Sequence, residues 1–292
     1  MLQYLIDGLL TGILCSLFAA GFAIVYNMTR VFHIAAAGIY VFAGFLFQYL
    51  VEEAGVSLWL SGLLAVAAAA VLNALCDGLV YRPLTKRKAS PNAMIIASVG
   101  LMTVIINMMA ILFGNDVKTM QHPFNHPVHI GSAILTTGQQ VQFLAGGGIL
   151  LVLLIAVVWT PAGMRLRASS FNSELYEILG YSSRKARSLA FLAGGFLIAA
   201  AACLNAYEIS FSLDMGLNIL VSALVAIMIG GTGRWEAAVL GGMIVGLLEG
   251  LLRMIPVFAS HDQWITAILL MVLLVFLFIR PQGLAGIKLR EV

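Results

Sequence analysis

The chain has 292 residues, of which 61% are hydrophobic and only 10% are charged. With the 29 glycines included, about 71% of the residues are apolar or glycine, against about 45–50% in a soluble domain. A soluble core cannot hide that much apolar surface, because most of a globular surface faces water. The formal net charge of +3 is too small for a nucleic-acid-binding surface. Composition therefore excludes a soluble enzyme and a nucleic-acid-binding protein.

Long apolar stretches define the expected fold. A helix needs about 20 residues to cross a hydrocarbon core of about 30 Å. The nearly uncharged stretches are 5–28, 34–50, 57–81, 93–113, 141–159, 188–208, 216–231, 236–253 and 263–280. We therefore expect an all-α polytopic membrane protein with about nine transmembrane or broken helices in one domain, 1–292. The shorter stretches, 34–50 and 216–231, are candidates for broken or re-entrant helices.

The positions of lysine and arginine predict the orientation, because these residues favour cytoplasmic loops. Basic residues cluster in the connections 82–92 and 160–187 and in the tail at Lys288 and Arg290. The connection 114–140 has Lys118 as its only strong base. We expect 114–140 to lie outside, the N-terminus outside and the C-terminus in the cytoplasm.

The 160–187 connection contains a short amphipathic pattern. Its apolar stripe is Phe171, Leu175, Ile178 and Leu179. Ser170 or Asn172 can cap the start of this helix, and Gly180 suits its C-terminal turn. From the pattern alone, the helix either lies on the lipid interface or docks into a groove of a soluble partner.

The outer connection, 114–140, carries three histidines, His122, His126 and His129. Pro123 and Pro127 interrupt any helix that would align the imidazoles, and the spacing enforces no metal geometry. We expect no metal site here, but a polar loop that contacts an external partner.

Two features inside the spans are candidates for packing or function. Gly242, Gly246 and Gly250 repeat every four residues, which allows another helix to approach closely. Glu249 lies beside this ridge and is a functional candidate because ionisable groups in spans are costly to bury. Our preferred interpretation is a structural pair with Arg253, four residues further on.

The stretch His33–Tyr40 combines a polar head with small residues. It is either a packing face or a kinked segment that lines a pathway, and Gly230–Gly233 is a similar place in the other half. Phosphate-binding G-x-x-x-x-G-K-[ST], H-E-x-x-H and G-x-S-x-G motifs are absent from the sequence. The residues therefore indicate a transporter without its own ATP site and without catalytic residues.

Five stretches in order resemble one family over nearly the whole chain. They are Leu79–Leu84, Ile95–Leu101, Gly163–Ala168 with Gly180, Gly230–Gly233 with Gly241–Gly242, and Arg280–Gly286. This arrangement resembles the permease subunits of branched-chain amino acid (leucine/isoleucine/valine) ABC importers. The resemblance implies a second permease, two cytoplasmic ATPases that bind ATP and magnesium, an extracytoplasmic binding protein and the bacterial inner membrane. It implies no cofactor and no metal in this chain.

The resemblance also implies site residues. The ATPase-coupling candidates are Arg165, Arg167, Phe171, Asn172, Leu175, Ile178 and Gly180. The candidates for the translocation pathway come from the residues themselves and not from the resemblance: they are His33, Ala37, Gly38, Tyr40, Ser98 and Glu249. The family usually opens its second span with Asn-Phe-Ala-His-Gly, whereas this chain has His-Ile-Ala-Ala-Ala at 33–37. The alternatives are therefore the same fold importing urea, an amide, an aromatic acid, a nucleoside or a sugar, and a self-sufficient channel or ion-coupled carrier.

Overall fold

The computed structural model describes residues 1–120, 127–130, 133–171, 173–231, 233–255, 262–280 and 283–284. The helices are α1 Leu2–Thr29, α2 Ala36–Glu52, α3 Leu58–Cys76, α4 Arg82–Lys86, α5 Pro91–Phe113, α6 Thr137–Val141, α7 Gly147–Trp159, α8 Pro161–Phe171, α9 Ser173–Ile178, α10 Ser183–Glu208, α11 Met215–Gly230, α12 Trp235–Leu252 and α13 Asp262–Ile279. Two π-helical turns, Asp77–Tyr81 and Gln142–Gly146, join α3 to α4 and α6 to α7. Strands β1 Val128–Ile130 and β2 Ala133–Leu135 form an antiparallel hairpin.

The long helical segments coincide with the predicted spans. In the described residues, 6 segments are long and apolar enough to cross a membrane, and α2, α11 and most of α13 form shorter apolar helices. Helices α2 and α11 have only 17 and 16 residues, as expected for the two short stretches. The prediction of an all-α polytopic membrane protein is confirmed.

Four helices in each half of the chain pack in the same pattern. The first unit is α1, α2, α3 and α5, and the second unit is α10, α11, α12 and α13. Helix α1 packs on α12 and α10 packs on α3, while each short helix packs on the third and fourth helices of its own unit. The start of α1 and the end of α10 both contact segment 136–139, through Asp7 and Glu208, so the two helices run in opposite directions. The two units therefore share a contact pattern, and their first helices run in opposite directions, as in an inverted structural repeat.

Glycines allow the units to approach each other closely. A Cβ on Gly21 of α1 or on Gly194 of α10 would lie 2.7 Å from the carbonyl oxygen of the other glycine. A Cβ on Gly246 of α12 would lie 2.1 Å from the backbone nitrogen of Gly12 on α1. The ridge predicted on α12 is therefore confirmed as a packing surface, and its partner is α1.

Basic residues gather at one end of the helix bundle, which we call the basic end. Asp77 is fully buried there, 2.6 Å from Arg82 Nε and 2.7 Å from Arg187 Nε. These contacts join connection 82–92 to the start of α10. At the opposite end, the loop end, Lys118 Nζ lies 3.9 Å from Glu53 Oε1. The basic connections on which the predicted orientation depends therefore meet at the same end.

Candidate functional site

A polar cavity of about 490 Å³ opens at the loop end, between the two units. Helices from both units line it: α1, α2, α10, α11, α12 and α13. Its polar and charged lining residues are Gln3, Asp7, Thr11, Tyr40, Gln139, Gln142, Asn205, Glu208, Asn218, Ser222, Glu249, Arg253 and Thr266. Such a concentration of hydrogen-bonding groups inside an apolar bundle is typical of a solute site.

Short helix α11 supplies one wall of the cavity. Asn218 and Ser222 are four residues apart, so they share a helix face. Ser222 Oγ donates a hydrogen bond to Glu249 Oε1 over 2.9 Å. Glu249 on α12 is only 8% exposed, although it lines the cavity. This arrangement places a buried carboxylate beside the Ser222 hydroxyl of α11.

Tyr40 and Asn205 join the two units at the wall of the cavity. Asn205 Nδ2 on α10 donates to the Tyr40 hydroxyl on α2 over 2.8 Å. The Tyr40 ring also packs against Phe18 and Phe211, with centroid distances of 5.8 Å and 5.6 Å. The aromatic contacts fix the ring, so the hydroxyl has a defined position in the cavity wall.

The mouth of the cavity is acidic and hydrogen-bonded. Gln139 Nε2 and Gln3 Nε2 donate to Asp7 Oδ1 over 3.1 Å and 3.2 Å. The Thr136 hydroxyl donates to Glu208 Oε1 over 2.7 Å. Carboxylates in the wall suit an ammonium group, while Arg253, also in the wall, suits a carboxylate.

The corresponding place in the first unit is a closed polar network. His33 is fully buried, with Nδ1 2.9 Å from the Tyr81 hydroxyl and Nε2 2.7 Å from Asn73 Oδ1. Tyr81 Oη lies 2.8 Å from Ser98 Oγ, which accepts a hydrogen bond from the Ala35 backbone nitrogen over 3.0 Å. These groups satisfy one another. The network does not line the cavity.

The structure separates the predicted pathway candidates into three places. Tyr40 and Glu249 both line the cavity, whereas His33 and Ser98 belong to the closed network. Ala37 is fully buried, and a Cβ on Gly216 of α11 would lie 2.5 Å from its carbonyl oxygen. Gly38 packs against Ile105 of α5, where an added Cβ would lie 3.1 Å from the isoleucine Cβ.

Sequence reasoning missed several polar residues of the cavity wall. Asn205, Asn218 and Ser222 are not among the candidate site residues predicted from the sequence. The available signal was the i, i+4 spacing of Asn218 and Ser222 in a short and otherwise apolar span. That spacing predicts one polar face, but it does not say which helix the face meets.

The candidate coupling segment is helical on both sides of Asn172, a residue that lies outside the described ranges. Helix α8 precedes the six-residue α9, and Gly180 has φ +83°, in agreement with the predicted C-terminal turn. The Arg165 guanidinium lies 5.6 Å from the Tyr181 ring centroid, and the Tyr181 ring stacks on Tyr176. Ile178 is 80% exposed. The side chains of Phe171, Asn172 and Leu175 lie outside the described residues.

The expectation of no metal site concerns His122, His126 and His129 in the outer connection. In the described ranges, the structure contains no group of three or more histidine, cysteine, aspartate or glutamate side chains that could hold a metal ion. His129 lies in β1, but His122 and His126 fall in 121–126, outside those ranges.

In the part of the chain that the structure describes, nine apolar helical segments and a polar cavity between the two units are typical of a multi-pass membrane protein of the permease class. The profile of the family described as "Branched-chain amino acid transport system / permease component" matches residues 4–278. The chain therefore belongs to this family.

Curated relatives and a solved structure agree with this assignment. The high-affinity branched-chain amino acid permease LivH of Escherichia coli K12 is 25% identical over 98% of this chain and 95% of its own. The permease BraD of Pseudomonas aeruginosa is 24% identical over the same shares of the two chains. The structure of PsaBC from Streptococcus pneumoniae in complex with Fab gives a TM-score of 0.52 at 13% identity, covering 94% of this chain and 90% of that chain. This last similarity supports the fold alone.

Proposed function

We propose that this chain is the permease subunit of an ATP-driven importer of branched-chain amino acids in the bacterial inner (cytoplasmic) membrane. It works with a second permease, two cytoplasmic ATPases and an extracytoplasmic binding protein. The partner ATPases bind ATP and magnesium, and this chain contributes no catalytic residue. Transport is by alternating access: the two units move relative to each other and expose the central site first to one side and then to the other.

The polar cavity at the loop end is the observation that carries this proposal. A free amino acid has an ammonium, a carboxylate and an apolar side chain. The cavity offers the Glu249 carboxylate, the Arg253 guanidinium and apolar lining from Leu10, Leu14 and Ile219. Its volume of about 490 Å³ lies within the range of small-molecule sites, about 300–1,000 Å³.

The basic end faces the cytoplasm in this proposal, in keeping with the positive-inside rule. Ile178 and Leu179 are 80% and 66% exposed at that end. These two side chains are available to fill a groove on an ATPase subunit. Closure of the ATPase pair then moves α8 and α9, and through them the ends of α7 and α10.

Reconstitution in liposomes tests the proposal. The permease pair, the ATPases and the binding protein are combined, and uptake of labelled leucine, isoleucine and valine is measured with ATP inside the vesicles. We expect uptake only when the ATPases are present. Leucine uptake without any ATPase would instead identify a self-sufficient channel or carrier. Uptake of urea, an amide, an aromatic acid, a nucleoside or a sugar in place of leucine would correct the substrate.

The double variant Ile178→Ala/Leu179→Ala tests the coupling surface in the same vesicles. Truncation of a well-buried apolar anchor costs about 2 kcal/mol or more, which is about thirtyfold in affinity. We expect weaker co-purification of the ATPase and slower ATP-driven uptake, with unchanged binding of leucine by the binding protein. Unchanged attachment and unchanged uptake would show that these side chains lie on lipid.

A further inference from the structure

Helix α5 is the least buried of the six long apolar segments in the described part of the chain. It packs on the bundle mainly through α2. Its buried residues lie along one side of the helix, and they are Met94, Ser98, Ile105 and Met109. The opposite side faces outwards over most of the length of α5. We call the exposed positions between Ile95 and Leu112 the outer face.

The outer face of α5 carries two polar side chains, those of Thr103 and Asn107. In the described residues of the other eight apolar segments, every exposed residue more than four positions from an end is either apolar or glycine. Asn218, near the start of α11, is exposed to the cavity at the loop end. Lipid tails cover apolar faces well, but they offer no hydrogen-bond partner to a polar side chain. The outer face therefore differs from the faces that suit lipid.

Both polar side chains lie deep in the span. Helix α5 has 23 residues, and its midpoint is Met102. Asn107 is five residues from that midpoint, about 7.5 Å along the axis, and so lies within a hydrocarbon core of about 30 Å. Its Nδ2 donates to the Thr103 carbonyl of its own helix over 2.8 Å. In the described residues, the Asn107 Oδ1 acceptor and the second amide hydrogen have no partner.

The spacing of residues along the outer face is that of a helix–helix contact. Ile96, Gly100, Thr103 and Asn107 follow one another at intervals of four, three and four, as the contact positions of a coiled coil do. A Cβ on Gly100 would meet no atom within 4 Å, so the space beside this glycine is open. A small residue lets a second helix approach, and an asparagine at a contact position fixes the register of the pair.

We propose that the outer face of α5 binds a membrane-spanning helix of the second permease, and that Asn107 forms a hydrogen bond with a polar side chain of that helix. This inference rests on the proposed function, which includes a second permease. The ATPases of that assembly lie in the cytoplasm and the binding protein lies outside, so neither reaches the middle of α5. The second permease crosses the membrane and can present a polar group at the depth of Asn107.

Photocrosslinking in native membranes tests the contact. Benzoylphenylalanine takes the place of Thr103 in a tagged chain that is expressed with the second permease and the ATPases. We expect irradiation to give an adduct that contains the second permease, detected by a tag on that protein. Benzoylphenylalanine in place of Val71 is the control, because Val71 is 53% exposed near the middle of the segment Leu58–Lys86. This control should give no protein adduct.

Two results of the crosslinking would overturn the proposal. The absence of a protein adduct at Thr103, or equal adducts at Thr103 and Val71, would show that lipid covers the outer face. An adduct with a second copy of this chain would assign the face to self-association instead.

Asn107→Leu tests the hydrogen bond. Leucine is well suited to lipid, so this variant removes the amide without a penalty at a lipid-facing position. We expect the amount of second permease that co-purifies with the tagged chain to fall about tenfold. Asn107→Gln keeps an amide and should retain most of the second permease. The melting temperature of the chain expressed alone should not fall in either variant.

An unchanged amount of second permease with Asn107→Leu would overturn the role of the amide. A lower melting temperature of the chain alone, with a matching loss of partner, would assign Asn107 to the fold.

Leucine uptake by liposomes with the complete complex separates this inference from the proposed function. We expect both ATP-driven uptake and the adduct at Thr103. Uptake without the adduct would remove the proposed contact alone. An adduct with the second permease in a complex that imports no leucine would remove the proposed substrate and leave the contact.

Discussion

The short helices α2 and α11 have equivalent positions in the two units, but their surroundings differ. In front of α2, the polar groups of His33, Tyr81 and Ser98 bond to one another within the bundle. Along α11, Asn218 and Ser222 face a cavity of about 490 Å³. A network whose members satisfy one another has no group left for a solute, whereas polar groups that border a cavity can bind one. In the proposed function, the first unit therefore mainly supports the site, and the second unit supplies most of the polar groups that the solute would contact.

The two π-helical turns differ in the same way: one belongs to a closed polar network and the other to the cavity wall. The turn Asp77–Tyr81 presents Asp77 to Arg82 and Arg187, and Tyr81 to the His33 network. The turn Gln142–Gly146 presents Gln142 to the cavity wall, where its amide donates to the Leu204 carbonyl over 3.2 Å. An inserted residue changes the direction of the side chains around it. One insertion therefore completes a structural network, and the other contributes to the candidate site.

The largest expected effect comes from breaking the contact between the units. Gly246→Leu places a side chain where a Cβ is already 2.1 Å from the Gly12 backbone nitrogen. Backbone atoms in a helix crossing cannot move aside, so the cost exceeds the about 1–3 kcal/mol of ordinary overpacking. We expect at least a tenfold loss of monodisperse protein in fluorescence-detected size-exclusion chromatography.

The matched control is Gly100→Leu on α5, where an added Cβ meets no atom within 4 Å. This variant should give the same chromatographic peak as the unaltered chain. A normal peak for Gly246→Leu would show that α1 and α12 separate without loss of the fold.

The sequence predicts the helices better than it predicts their partners. The long uncharged stretches are local features, so their positions follow from hydropathy, and even the short spans 34–50 and 216–231 agree with α2 and α11. The pairing of Ser16 with the Val239 carbonyl joins residues 223 positions apart. Nothing in the local pattern says which helix the ridge at Gly242, Gly246 and Gly250 meets.

In the candidate site, too, the local sequence does not predict which partner a single residue contacts. His33 is a polar residue in an apolar region, and such a residue suggests either a pathway or a satisfied network. The fold distinguishes a pathway residue from a satisfied one, because it brings Asn73 and Tyr81 into hydrogen-bond distance of His33. These residues lie 40 and 48 positions further along the chain. Asn218 and Ser222 were overlooked because single amides and hydroxyls are common in spans, and their direction depends on tertiary packing.

The second largest effect concerns the second unit. Glu249→Gln keeps the shape of the side chain and removes its charge from the cavity. Hydrogen bonds to charged groups contribute about 1.5–3 kcal/mol, so we expect the leucine uptake rate at low substrate to fall at least tenfold. The melting temperature should stay within about 2 °C, a shift that corresponds to less than 1 kcal/mol in a chain of this size.

Glu53→Gln is the control, because Glu53 is a carboxylate at the loop end with a side chain 57% exposed and outside the cavity. It should leave both uptake and melting unchanged. A fall in melting temperature with unaltered uptake per folded molecule in Glu249→Gln would assign Glu249 to structure.

A variant in the first unit should instead lose stability and keep its uptake activity. His33→Leu leaves the buried Tyr81 hydroxyl and Asn73 amide without the imidazole, and each such group costs about 1–3 kcal/mol. We expect the melting temperature in detergent to fall by several degrees, measured by intrinsic fluorescence. Uptake per folded molecule should remain near that of the unaltered chain. Stable protein with tenfold slower uptake would show that His33 serves the transport path and would remove the division between the units.

The smallest effect is expected at Tyr40, where the first unit contributes to the wall of the binding cavity. Tyr40→Phe removes the hydroxyl that accepts from Asn205 Nδ2 and keeps the ring contacts with Phe18 and Phe211. Asn205 also lines the cavity, so water can replace the lost acceptor, and the cost should be about 0.5–1.5 kcal/mol or less.

The role of Tyr40 is tested by measuring KM and the maximal rate of leucine uptake separately. A wall residue that orients the solute should raise KM about two- to tenfold in Tyr40→Phe, with little change in maximal rate or melting temperature. A hydroxyl that only joins α2 to α10 should lower the melting temperature and leave KM unchanged, and Asn205→Ala should then reproduce that loss. The first result would make the candidate site a joint product of the two units, because its solute would contact a side chain from each. The second would show that Tyr40 serves the contact between α2 and α10, so that the first unit would contribute to the site only through α1.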